Sequence, residues 1–444
     1  MTLTSETTLM PLASVVWNAE GAWMVATAAA TNAACALVGS FLVLRRMSMM
    51  GDALSHAVLP GLAIAFILSG SYSIGPLMVG AVAAGLLTTF LTQTLQQYAR
   101  VPSDASMGVV FTSLFAIGVV LIKRGIQGVH FDVKCVYEGQ LEYAPVYVWD
   151  VLGYDVPRAL VVTSGVLIVN LAVIVLLWKE FKLSSFDPAL ATTMGFSAAA
   201  MHYLLMALVA VTAVASFESV GAILVVAMLI IPPATAHLLV DRLALMVALA
   251  VGIAILAAVL GYLMAGYLEA AFGIETNVAG MMTVAAAALF ALAVFCSPQH
   301  GVLSTVIRNL QTSLRVVRED LLAMLYRIEE LHSQRRLATA EAREAVGGGT
   351  LARWGLRGLL SDGRVARAGD RLELTDAGRD AARQLVRSHR LWETYLVRQL
   401  GLPLDHVHEP AHRVEHFIGE EMREQLQADL KVADTDPHGR EIPE

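Results

Sequence analysis

The chain has 444 residues, of which 56% are apolar and 16% charged, with a mean hydropathy of +0.62 and a formal charge of −7. These values exclude a disordered chain, a collagen-like fibre and a disulfide-stapled secreted scaffold. The acidic balance also argues against a simple nucleic-acid binder.

The averages conceal two unlike halves. Residues 301–444 hold 21 of the 31 Lys and Arg, 23 of the 38 Asp and Glu, and 7 of the 12 His. The first 300 residues therefore carry the charge density of a membrane domain, and the remainder that of a soluble one. The expected division is a transmembrane domain over 1–300 and a cytoplasmic domain over 301–444. Cys35, Cys135 and Cys296 lie far apart with no CxxC, which indicates neither a disulfide framework nor a thiolate zinc site. The first twenty residues lack a basic n-region and a cleavage site, so no removable signal peptide is expected.

In chain order, apolar runs long enough to cross a bilayer predict about nine transmembrane helices: 22–44, 54–70, 74–98, 104–122, 158–178, 200–216, 219–238, 243–267 and 277–296. An odd number puts the termini on opposite faces. Arg45, Arg46, Arg100, Lys179, Lys182 and Arg242 then lie inside, a mild positive-inside bias that places the C-terminus in the cytoplasm. The outer loop 125–157 carries Asp132, Glu138, Glu142, Asp150 and Asp155. It reads either as a cation-attracting mouth or as an ordinary solvated loop.

Two segments interrupt the apolar text. Between Leu44 and Phe66, Asp52 and His56 stand four residues apart and so share one helical face. A carboxylate with an imidazole suits manganese, zinc or ferrous iron, and ionisable groups within a membrane span are functional candidates. The spacing alone equally allows a solvated, capping pair at a helix entry. Phe186–Gly195 is a short amphipathic stretch in which Asp187-Pro188 makes a favourable helix start. His237 and Glu218, near span ends, are weaker candidates.

Leu44–Phe66, Phe186–Gly195 and Val220–Leu239, in that order, resemble the metal-ion permeases of ABC importers over roughly residues 20–300. The resemblance implies that Asp52 and His56 lie on the metal path. It makes Phe186, Asp187, Pro188, Ala191 and Gly195 part of a coupling helix that fits a cytoplasmic ATPase. It further implies an extracytoplasmic solute-binding protein, and a homodimer or a heterodimer with a second permease. No GxxxxGK[ST] occurs in the chain, so the expected role is a transport subunit and not an enzyme, with ATP hydrolysed by a separate chain.

After Cys296-Ser297-Pro298 the text turns charged and helical. Helices are expected over 318–331, over 339–346 and from a cap at Thr350 to about Leu360. Strands follow at Arg364–Ala366 and Arg371–Leu374, and a long helix opens at Thr375-Asp376. Three helices and a hairpin predict a winged helix-turn-helix over about 315–378, followed by a helical part over about 379–431. Arg353, Trp354 and Arg357 fall on its third helix, and Arg364, Arg367 and Arg371 on its wing. His389 and Glu393 share a helical face. So do His412, Glu415 and His416, a ligand spacing suited to a divalent transition metal or, less informatively, a solvated polar face.

The segments Arg318–Glu330, Leu359–Arg379, Arg387–Leu396 and Val407–Ile418 resemble the iron- and manganese-dependent, diphtheria-toxin-repressor-like metalloregulators over about 315–431. That resemblance implies a metal-binding and dimerisation domain. It assigns Asp320, His412, Glu415 and His416 to a primary site, and His389, Glu393 and His408 to an ancillary one. His412 stands where the family carries Cys or Glu, and Ala323 replaces a carboxylate of some manganese sensors. Manganese is expected first, with Zn²⁺ or Fe²⁺ as alternatives. Two functions follow: an importer permease whose cytoplasmic domain senses metal and gates transport, or a membrane-tethered, metal-dependent transcriptional regulator.

Overall fold

The computed structural model describes residues 19–47, 49–70, 74–125, 139, 141–151, 153–298, 301–331, 336–430 and 435–443, with 54, 55, 74, 124, 125 and 218 as backbone alone. The chain divides into two compact units between Ser304 and Thr305.

The first unit is helical: α1 (Ala19–Leu44), α2 (Met49–Ala57), α3 (Leu59–Ser69), α4 (Ile74–Gln97), α5 (Ser103–Gly125), α6 (Arg158–Leu176), α7 (Trp178–Phe186), α8 (Pro188–Thr193), α9 (Ala198–Leu239), α10 (Leu243–Phe272) and α11 (Val278–Cys296). Eight helical stretches among the described residues are long and apolar enough to cross a membrane. The predicted span 54–70 is instead divided between α2 and α3, which meet at Val58. Pro60 stands in the first turn of α3, where its missing N–H has no helical partner to lose; inside a continuous helix over 54–70 it would have left an interior hydrogen bond unmade. The eleven residues of α3 rise only about 16 Å, half the hydrocarbon thickness. Helix α9 takes in two predicted spans and is kinked at Gly221, just inside the second, whose φ of 75° only glycine adopts without strain.

Helix α1 is the most enclosed of the spans. Its Cys35, Val38, Phe41 and Leu42 share a core with Val209, Leu224, Met228 and Leu229 of α9. Lipid offers no hydrophobic drive between helices, so close backbone approach and hydrogen bonding hold them. A Cβ on Gly39 would lie 2.1 Å from the Leu229 carbonyl oxygen. Asn32 Nδ2 donates to the Ala254 carbonyl of α10 at 3.4 Å, and Asn170 Nδ2 to Thr212 Oγ1 at 2.8 Å, tying α6 to α9. Gly39→Val is therefore expected to destabilise the unit by about 3 kcal/mol, the upper range for overpacking. A thermal melt in detergent should show that loss, whereas exposed Gly252→Val should melt unchanged.

The outer loop holds structure that the sequence did not announce. Strands β1 (Val148–Val151) and β2 (Tyr154–Pro157) form an antiparallel hairpin with Val148 opposite Pro157, which sets Asp150 opposite Asp155. Glu142 is committed elsewhere, since its Oε1 accepts the Val278 N–H at the start of α11 (3.1 Å). Asp132 and Glu138 lie outside the described residues, as does the Glu218 side chain.

The second unit is built from α12 (Val302–Leu331, whose first three residues precede the division), α13 (Thr339–Ala345), α14 (Gly349–Ser361), β3 (Val365–Ala368), β4 (Arg371–Leu374), α15 (Asp376–Arg398), α16 (His408–Val414) and α17 (Glu420–Asp429). Leu321, Leu322 and Leu325 of α12 pack on Ala342, Leu356, Leu359, Val365 and Leu374, which closes a winged helix-turn-helix. Thr350 is not the cap of α14. Gly348 is, at φ 65° and ψ −152°, a conformation that a threonine could not adopt without strain. Strand β3 begins one residue later than expected and runs to Ala368, completing a four-residue register with β4. The long helix opens where expected, with Thr375 as its cap, the hydroxyl accepting the Gly378 N–H (3.2 Å).

Candidate metal sites

In the membrane unit, α2 places Asp52 and His56 one turn apart, with Asp52 Oδ1 3.5 Å from His56 Nε2. Phe111 and Phe115 of α5 stand 6.0 and 5.8 Å from the imidazole, centre to centre, giving it an apolar flank. Both side chains are partly open. Among the described residues no third His, Cys, Asp or Glu gathers with them into a ligand cluster. Two donors at this separation offer a cation a weak foothold, which suits passage better than storage. His237 lies exposed near the end of α9.

The amphipathic segment is a built surface. Asp187 caps α8, its Oδ1 accepting the Leu190 N–H at 2.9 Å, and Pro188 occupies the first turn. Ala191 faces inward and is fully buried, while Phe186, Leu190 and Met194 are exposed. Gly195 ends the segment at φ 90°, which favours glycine. A connection with no local sign in the sequence reaches it from the turn after α1. Arg45 donates to Ser184 Oγ (2.8 Å) and Ser185 Oγ (3.1 Å), immediately before Phe186. Phe181 packs beneath, 5.3 Å from Phe41, centre to centre.

In the second unit, Asp320 comes from α12 and His412 from α16. Glu415 and His416 come from a 3₁₀ turn, Glu415–Phe417, that replaces the expected continuation of the helix. One ligand atom from each lies within 4.8 Å of the others. Asp320 Oδ1 is 3.4 Å from His416 Nε2 and 3.9 Å from His412 Nε2. Two metal bonds of about 2.1 Å at a tetrahedral angle would set their ligand atoms about 3.4 Å apart. Asp320 Oδ1 and His416 Nε2 are buried without a hydrogen-bond partner. Buried polar atoms are ordinarily paired, so this cradle fits a divalent cation. Hard oxygens beside imidazoles suit Mn²⁺, Fe²⁺ or Zn²⁺.

The second cluster joins His389 and Glu393 of α15 to His408 of α16, again with atoms within 4.8 Å. His389 and Glu393 are buried, whereas His408 is exposed and bonds Glu393 through Nδ1. The two clusters are not independent. Glu415 turns Oε1 to His412 Nδ1 (2.9 Å) and Oε2 to His389 Nδ1 (2.6 Å). The second contact lacks hydrogen-bond geometry and leaves both atoms unsatisfied.

Glu319 escaped the sequence reading altogether. Its Oε2 lies 2.8 Å from His416 Nδ1, and its Oε1 accepts from Arg315 Nε at 2.9 Å. A carboxylate on the far nitrogen is the usual support of a metal-ligating histidine. The adjacent Arg315/Glu319 helical pair was the available signal. Burial opposes charging of His416, but the Asp320 and Glu319 carboxylates prevail and push it up to about 9. Glu415 is likewise penalised by burial, yet His389 holds it below the usual carboxylate range. Arg327 adds positive charge 3.8 Å from Glu415 Oε2.

Eight long apolar helices among the described residues, a capped surface helix and a compact winged-helix unit define a polytopic membrane protein with a winged-helix extension. Residues 21–297 match the ABC 3 transport family, and the chain belongs to it. Residues 375–444 match the domain described as iron dependent repressor, metal binding and dimerisation. The manganese transport system membrane protein MntD of Bacillus subtilis is 43% identical over 290 residues, 65% of this chain and 96% of that protein. The zinc transport system membrane protein TroD of Treponema pallidum is 38% identical over 296 residues, 66% of this chain and 79% of that one. Among solved structures, PsaBC from Streptococcus pneumoniae in complex with Fab shares 31% identity at a TM-score of 0.54, covering 66% of this chain and 96% of that chain. The protein is thus a multi-pass membrane permease subunit of the metal-transporting type, with a C-terminal domain of the kind that binds divalent metal.

Proposed function

We propose that this permease carries Mn²⁺ inward across the plasma membrane, with Zn²⁺ and Fe²⁺ as competing cargo, and that its C-terminal domain lies in the cytoplasm and gates transport according to the metal it binds there. Asp52 and His56 offer the moving ion its foothold. A solute-binding protein delivers that ion outside, and a second permease copy, or a different permease chain, completes the path. A separate ATPase receives the exposed Phe186, Leu190 and Met194 of the coupling segment. The single observation that carries the gating reading is the four-ligand cluster of Asp320, His412, Glu415 and His416, in which Asp320 Oδ1 and His416 Nε2 are buried without hydrogen-bond partners. When bound there, a divalent cation supplies the positive charge that lets Asp320 on α12 and Glu415 and His416 on the turn be held together.

The test is uptake of radiolabelled manganese by proteoliposomes holding the permease, its ATPase and its binding protein. ATP-dependent uptake should fall with unlabelled Zn²⁺ or Fe²⁺ outside and should change when Mn²⁺ is preloaded within. No metal transport would end the proposal, and indifference to internal Mn²⁺ would end its gating part.

Arg45 supports the coupling role from the permease side. Arg45→Met keeps the bulk of the side chain and removes the ties to Ser184 and Ser185. We expect ATP-driven uptake to fall about tenfold, the equivalent of one charged hydrogen bond, while the melting temperature holds. Uptake per ATP hydrolysed is the quantity to measure.

A second reading has its own observation. Arg353, Trp354 and Arg357 on α14, with Arg364, Arg367 and Arg371 at the wing, are all exposed. A tethered regulator would use them on DNA. Metal-dependent binding of the full chain to one duplex sequence, surviving excess random DNA, would transfer preference to that reading.

A further inference from the structure

His438 belongs to neither ligand cluster, yet the C-terminal segment carries it to the edge of one. Asp436 is buried and folds the segment into a tight loop. Its Oδ1 accepts the backbone N–H of His438 (2.9 Å) and of Arg440 (2.7 Å), and its own N–H donates to the Arg440 carbonyl (2.7 Å). Gly439 turns the loop at φ 77°. Arg390, the residue after His389, holds the loop against α15. Its buried guanidinium donates to the Glu441 carbonyl, binds both carboxylate oxygens of Glu330 and lies 3.7 Å from Asp436 Oδ2. Ile442 packs with Leu391 and Ile418.

The consequence is a row of imidazoles. The His438 ring lies 5.3 Å from that of His408, which lies 5.5 Å from that of His389, centre to centre. Burying a guanidinium is costly unless its partners are well placed. A loop fixed by such a group has a specified position, while the side chain at its tip stays exposed. Three protein ligands leave at least one position open on a transition-metal ion.

We propose that this loop supplies His438 as a fourth ligand to a divalent transition metal held by His389, Glu393 and His408. The proposal rests on reading those three residues as a metal site. Metal there would tie the C-terminal loop to α15 through a bond as well as through Arg390.

The experiment titrates the full-length chain in detergent with Co²⁺, whose visible absorption reports ligand number. An Asp52→Ala, His56→Ala background removes binding on the transport path. The parent should show two binding events, and His408→Ala should abolish one of them. His438→Ala should weaken that same event about tenfold and lower its ligand number, leaving the other unchanged. His438→Phe keeps a ring against His408 but has no donor nitrogen, and should behave as the alanine variant does. Parent-like affinity in either His438 variant, with His408→Ala still abolishing the event, overturns the assignment of His438 alone. Two undiminished events in His408→Ala overturn the three-residue site and this proposal together.

Discussion

Alanine at Asp52 or at His56 is expected to reduce metal uptake by more than about a hundredfold, beyond the cost of losing even an outer-shell partner of a metal site. Among the described residues these two donors, 3.5 Å apart, are the ones placed to meet a passing cation together. The competing explanation of the pair makes a different forecast. Asp52 sits in the first turn of α2, where a carboxylate favours the helix dipole by about 0.3–1 kcal/mol. Were that its whole contribution, Asp52→Asn would melt slightly earlier and transport normally. We expect the reverse: assembly and melting close to those of the parent, since both side chains are partly open, with transport lost. His56→Gln separates ligation from packing, because it retains bulk between Phe111 and Phe115 while offering a poorer donor. Parent-like uptake by all these variants would remove the pair from the path.

What the sequence disclosed, and what it withheld, follow from the range of the interactions involved. Asp187-Pro188 and Thr375 were legible because a cap is decided within four residues. Helical spacing likewise brought His412, Glu415 and His416 to one side even though the last two lie in a 3₁₀ turn, since one residue of slippage still leaves them converging. Pro60 was visible, but its power to divide 54–70 depended on where the helix began. Thr350 misled because it has the chemistry of a cap, whereas the observed cap was fixed by the positive φ at Gly348. The tie from Arg45 to Ser184 and Ser185 spans about 140 residues of sequence and has no local sign. Glu319 shows the same limit at short range. It adjoins Asp320, but only packing determines that it meets the far nitrogen of His416.

Glu415→Ala is expected to do more damage than any other single ligand change in the second unit, because among the described ligand residues Glu415 is the one that faces both clusters. Its Oε1 serves the group with His412 and Asp320, and its Oε2 approaches His389. Removing it takes a carboxylate from the first group and leaves the buried His389 and the half-buried Arg327 without the charge they face. Both Co²⁺ binding events should weaken, the first by about a hundredfold or more and the second by about tenfold, taking outer-shell losses as the scale. His412→Ala should weaken only the first event, and His408→Ala only the second. Glu415→Gln tests the electrostatic part. It preserves shape and one acceptor but removes the negative charge, so it should resemble alanine in metal affinity while melting closer to the parent. In proteoliposomes, Glu415→Ala should make uptake indifferent to preloaded Mn²⁺ while leaving its rate without internal metal unchanged, since Asp52 and His56 are untouched. If only one binding event responds, the bridge between the clusters is not used. If internal Mn²⁺ still governs uptake in that variant, gating originates outside these ligands.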